Sequence, residues 1–105
     1  MKIVALAGDL VSKSKIREGL AGRAHQLTFI STVSQIREAE LLVVDLDAAG
    51  EPLKFIAGAR ALAPALQIIA FGPHVNKELL DGALAAGATE AMPRSKFYGS
   101  VLIGL

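Results

Sequence analysis

The chain has 105 residues, 52% of them hydrophobic, which suits one domain, residues 1–105, with one well-filled core. Eleven basic and ten acidic side chains nearly cancel with no basic block, which argues against broad capture of nucleic acid, and the absence of cysteine excludes disulfides and thiolate chemistry. The start, Met1-Lys2-Ile3, lacks the cleavage site of a secretory signal, and charges, Gly and Pro interrupt every apolar run short of a membrane span, so a soluble cytoplasmic domain is expected.

Short β-type runs alternate with helical patterns along the chain. The first strand is expected from Lys2 to Leu6, followed by a helix from Ser12 to Arg23 with Ile16 and Leu20 on one face. Gln26 to Ile30 reads as a second strand, and a short helix follows at Val33 to Glu38. Leu41 to Asp45 is the third strand, and Leu-Leu-Val-Val is its core. Gly50 marks a turn, and Pro52 suits the first position of a helix that Pro64 stops. Leu66 to Phe71 is the fourth strand, ended by Gly72-Pro73. Asn76 is placed as an N-cap with Val75 and Leu80 at the staple positions, and Gly87 suits the C′ position of that helix. Thr89 to Met92 is a fifth strand, and Ser95 is placed to cap a last helix in which Phe97, Val101 and Leu105 share one face. Leu53, Phe55, Ile56, Leu80 and Leu84 read as core.

Five strands alternating with helices imply right-handed crossovers and a parallel sheet covered on both faces. The expected fold is therefore α/β, a three-layer α/β/α arrangement around a five-stranded parallel sheet, doubly wound in the flavodoxin-like order 2-1-3-4-5. In that order the first and third strands are neighbours. Their apolar runs end in Asp9 and in Asp45 and Asp47, and ligand sites in such sheets form beyond the carboxyl ends of the strands. Asp9 and Asp45 should then share one small acidic pocket, and carboxylates clustered without a counter-ion would repel and raise at least one pKa.

Each of these residues also has a plainer role. Asp45 and Asp47 suit turn caps, the better reading for Asp47, while Asp9 fits an N-cap of the first helix as well as it fits a ligand. Ala7-Gly8-Asp9-Leu10 lacks the further glycines of a phosphate-cradling loop. His74 reads as a surface-loop residue at the lip of the crevice, and His25 belongs at the opposite end. No nucleophile–base–acid set can be assembled, so the chain is not expected to be an enzyme.

The strand–helix order, Leu-Leu-Val-Val-Asp45-Leu and Gly87-Ala88-Thr89-Glu90 together resemble the receiver domain of bacterial response regulators over nearly the whole chain. The resemblance implies that Asp45 holds the phosphoacceptor position and that Asp9 and Asp45 are the remaining ligands of a weakened magnesium site. It also implies losses. Gly8 stands where receivers carry a second acid, Gly72 where they carry Thr or Ser, and Arg94 where they carry Lys. Glycine offers no hydroxyl to bond a phosphoryl group, and a planar guanidinium does not reproduce an ammonium point charge.

The expected function is therefore a pseudo-receiver, a signalling module that binds another protein and has an incomplete phosphorylation site. A phospho-accepting receiver using Asp45 is the alternative, and a flavodoxin-like small-ligand binder the second alternative. The implied partners are a histidine kinase or other regulatory protein, or a second copy of the chain as a homodimer. The implied interaction face includes Lys77, Arg94, Phe97, Tyr98 and Val101.

Overall fold

The structure, a computed structural model, describes residues 1–48, 50–73 and 76–105. Strands β1 (Lys2–Leu6), β2 (Gln26–Phe29), β3 (Leu41–Asp45), β4 (Gln67–Gly72) and β5 (Glu90–Pro93) form one sheet. Its order is β2-β1-β3-β4-β5, and every pairing is parallel. The expected topology is the observed one. Burial explains why the inner strands read so clearly: β3 is buried at every position and β4 at all but Gln67, while edge strands β2 and β5 are partly exposed.

Alternation along the inner strands divides the core between the two faces of the sheet. Val4, Leu42, Val44, Ile68 and Ala70 pack with Ile56 and Ala59 of helix α2 (Pro52–Leu62) and Ala83 of helix α3 (Lys77–Ala86). Ile3, Ala5, Leu41, Val43, Ile69 and Phe71 pack with Ile16 and Leu20 of helix α1 (Leu10–Leu20), and with Phe97 and Leu102. These are the three layers. No helix among the described residues is long and apolar enough to cross a membrane.

Local chemistry sets most boundaries. Asp9 caps α1, its Oδ1 accepting the Ser12 backbone N–H at 2.7 Å, so the helix begins at Leu10 rather than Ser12. It ends at Leu20 rather than Arg23, because Gly22 turns the chain with φ +79° and the Arg23 guanidinium folds back onto the carbonyl oxygens of Gly19, Leu102 and Ile103. The helix expected at Val33 to Glu38 is one 3₁₀ turn, Val33–Ile36, held by Gln35 Oε1, which accepts the N–H groups of Ser31 and Thr32. Asn76 caps α3 through the Leu79 N–H, and Gly87 follows that helix with φ +120°. The expected partnership of Val75 with Leu80 lies outside the described residues, because Val75 is not among them.

The C-terminal helical segment departs most from expectation. It starts at Arg94 directly after Pro93 with no side-chain cap, so Ser95 is not the N-cap. One turn, Arg94–Lys96, widens into a π-helical turn, Phe97–Val101, before a last 3₁₀ turn, Leu102–Gly104. The Leu102 N–H donates to the Phe97 carbonyl, five residues back. That wider turn aligns Phe97 with Leu102, and these two are 0% and 1% exposed, while Val101 and Leu105 are only partly buried. Leu84, expected in the core, is 45% exposed on the outer side of α3.

Candidate functional site

Parallel pairing brings the ends of β1 and β3 together, with Leu6 opposite Val44. Just beyond these ends, Gly8, Asp9, Asp45, Asp47 and Arg94 line one cavity of about 440 Å³ with Ser12, Lys15 and Tyr98. The expected residues therefore meet at one rim. Ser12, Lys15 and Tyr98 were not anticipated there. The first two follow Asp9 at steps of three on α1, a helical spacing that places all three along one side. Tyr98 comes from the wide turn, next to the buried Phe97.

Asp45 is 2% exposed. Its Oδ1 accepts the Asp47 N–H at 2.9 Å, closing an Asx turn, and lies 3.6 Å from Arg94 Nη2. The same Arg94 nitrogen donates to Asp47 Oδ2. Arg94 thus lies between two carboxylates, and its bond to Asp47, opposed by some burial, keeps its pKa above the ordinary value. The guanidinium also lies 5.9 Å from the centre of the Phe71 ring. Asp9 does not show the raised pKa that clustering suggested: the Ser12 backbone N–H holds its carboxyl below the usual range. Burial pushes the Tyr98 phenol up.

Both glycines stand where the loop after β3 comes close. A Cβ at Gly8 would lie 3.0 Å from Ala48 Cα and 3.3 Å from the Asp47 carbonyl oxygen. A Cβ at Gly72 would lie 3.3 Å from Leu46 Cβ, and Leu46 is itself buried. Leu46 is tied down by its N–H to the Phe71 carbonyl at 2.9 Å. The 46–48 loop therefore packs closely against both glycines.

These residues do not fit a resident magnesium ion. Such an ion needs several oxygen ligands in near-octahedral order. Here Arg94 faces Asp45 and Asp47, Asp9 caps a helix, and among the described residues no group of three His, Asp or Glu is arranged to hold a metal.

Other expectations fall elsewhere. Phe97 cannot join an interaction face, because it is fully buried and stacked on Phe71 with ring centres 4.5 Å apart. Lys77 is exposed, and Arg94, Tyr98 and Val101 are partly so. His25 Nε2 lies 2.8 Å from the Leu105 carbonyl oxygen, at the end of the sheet away from Asp45. His74 lies outside the described residues. A larger cavity of about 840 Å³, lined by Ile36, Leu62, Pro64 and Leu66 among others, is also at that far end. Its lining shares no residue with the acidic site, so size does not mark the chemistry here.

The fold is that of response regulator receiver domains. A response regulator from Burkholderia pseudomallei, whose crystal structure holds a phosphorylated aspartic acid, a calcium ion and citrate, superimposes with a TM-score of 0.82 at 18% identity, over 96% of this chain and 64% of its own. This chain therefore spans less than two thirds of that protein. The phosphorylated cyanobacterial phytochrome response regulator RcpA gives 0.81 at 11% identity, over 98% and 89%. A receiver domain protein from Clostridium thermocellum gives 0.80 at 13% identity, over 97% and 88%. No family model matches the sequence, and no curated protein matches it.

Proposed function

We propose that this chain is a pseudo-receiver: a single receiver-like cytoplasmic domain, not an enzyme, that signals by binding another protein and whose phosphorylation site is incomplete. The observation that carries this reading is Gly72 at the end of β4, covered by Leu46 and without a hydroxyl, beside an Asp45 that already faces Arg94. A phosphoryl group on Asp45 would meet no side-chain hydroxyl from β4, so it lacks the part that turns its arrival into movement. The partner is a histidine kinase or another regulatory protein, or a second copy of the chain, and not nucleic acid. The docking face is built from Lys77, Arg94, Tyr98 and Val101, with Phe97 supporting it from beneath.

Incubation with a small phosphodonor tests this reading, followed by intact-mass measurement and light scattering on wild type and Asp45→Ala. No Asp45-dependent mass gain, or a gain with unchanged oligomeric state, is expected. An Asp45-dependent gain that shifts the oligomeric state would overturn the proposal in favour of a working receiver.

A further inference from the structure

We propose that Arg94 is the site's own cation: its guanidinium fills the electrostatic role that a divalent ion would have between Asp45 and Asp47, and the site is metal-independent for that reason. The inference rests on the reading above only for which cavity is the site.

Three observations converge on it. Asp45 is a carboxylate at the end of an all-buried strand, and a charge so placed requires a counter-charge. Of the two cations lining the cavity, Lys15 and Arg94, it is Arg94 that reaches both Asp45 and Asp47, from the start of the C-terminal helical segment. Finally, Gly8 brings no side chain to the cavity, and the space a Cβ would take is closed by the backbone of Asp47 and Ala48.

The competition favours the side chain. A guanidinium attached to the same fold acts at an effective concentration in the millimolar range without diffusing in. Its planar fork matches carboxylates, and it is more weakly hydrated than an ammonium. Magnesium gives up its water reluctantly, and among the described carboxylates lining the cavity Asp9 is the one not in an ion pair with Arg94. To enter, it would have to expel Arg94, whose backbone adjoins the turn carrying Phe97 and Tyr98.

The test is calorimetric titration of the whole chain with Mn²⁺ and with Mg²⁺. Wild type should give no saturable binding. Arg94→Ala should bind Mn²⁺ saturably, about tenfold or more above the weakest affinity the titration detects, and adding Asp45→Asn should remove that gain. Arg94→Gln keeps most of the side chain's bulk and carries the same expectation as Arg94→Ala, so the test survives if the alanine variant does not fold. Saturable Mn²⁺ binding by wild type as tight as by Arg94→Ala would overturn the proposal. So would a folded Arg94→Ala or Arg94→Gln that gains nothing. Phosphoryl uptake that shifts the oligomeric state in metal-free buffer would sink the pseudo-receiver reading and leave this one standing.

Discussion

Asp45 is held 2% exposed at the end of a buried strand, where a charge is costly unless it is paired. Removing its partner should therefore cost stability. Truncating one member of a fully buried pair costs about 3–5 kcal/mol, but the Arg94 side chain is 35% exposed, so about 1–2 kcal/mol is the better expectation for Arg94→Ala in metal-free buffer. Asp45→Asn added to that variant should recover most of the loss, because it removes the orphaned charge. Urea denaturation of the two single variants and the double variant measures both effects. Asp9 acts differently. Its carboxyl is stabilised in the charged form by the Ser12 N–H, so its folded pKa lies below the ordinary 3.8. A lowered folded pKa contributes stability that is full above the unfolded value and lost as pH falls through the folded one. Asp9→Ala should lower the melting temperature at neutral pH and flatten its fall in the acid range, and Asp9→Asn should keep the cap. Melting curves taken from neutral pH down through the acid range check this. The sequence exposed Asp9, Asp45 and Arg94 because strand ends in a parallel sheet converge. It hid Tyr98 and Leu46, whose positions depend on how neighbouring turns pack.

At the scale of elements, the strands were legible because β1, β3 and β4 are continuous apolar runs, and α2 and α3 because Pro52, Asn76 and Gly87 punctuate them. The C-terminal segment was not, since its apolar residues fit a 3.6-residue period and the chain adopts a wider turn. The reason lies in α1. A Cβ at Gly19 would come within 2.6 Å of Leu102 Cγ, and nearer still to its Cδ2, so only glycine lets Leu102 seat against this helix. Gly19→Ala gains helix propensity, about 1 kcal/mol, but overpacks a core site at about 1–3 kcal/mol, so a net loss of about 1 kcal/mol is expected. Leu102→Ala alone should cost more, and the two losses should fail to add, as chemical denaturation of the double variant would show. Another tie lies at the end of α2. Arg60 reads as part of a helical stripe, yet its guanidinium donates to the carbonyl oxygens of Gly87 at 2.9 Å and Leu66 at 2.6 Å, and to Thr89 Oγ1 at 3.3 Å. It ties the end of α2 to the turn before β5. Arg60→Met leaves these carbonyls without that donor and should cost about 2 kcal/mol.

Across the whole molecule, the acidic site and the core beneath it share residues. Phe71 stands one position before Gly72, the last residue of β4, stacks on Phe97, and lies under Arg94. Tyr98 packs on the same ring, 5.3 Å from centre to centre, while lining the cavity. The layer that carries the site therefore depends on one aromatic cluster, in which Phe71 and Phe97 are both fully buried. Phe97→Ala should cost about 3–5 kcal/mol, a large share of the 5–15 kcal/mol that holds a typical domain together. Phe97→Leu, which refills most of the volume, should cost far less. Leu84 provides the contrast: an exposed leucine on α3 should tolerate Leu84→Ala within about 0.5 kcal/mol. Guanidinium melts of the three variants decide whether the C-terminal segment is part of the core or an appendage to it. If Phe97→Ala left the midpoint where Leu84→Ala leaves it, the segment would pack too loosely to position Arg94. The charged pair at the rim would then be unsupported from below.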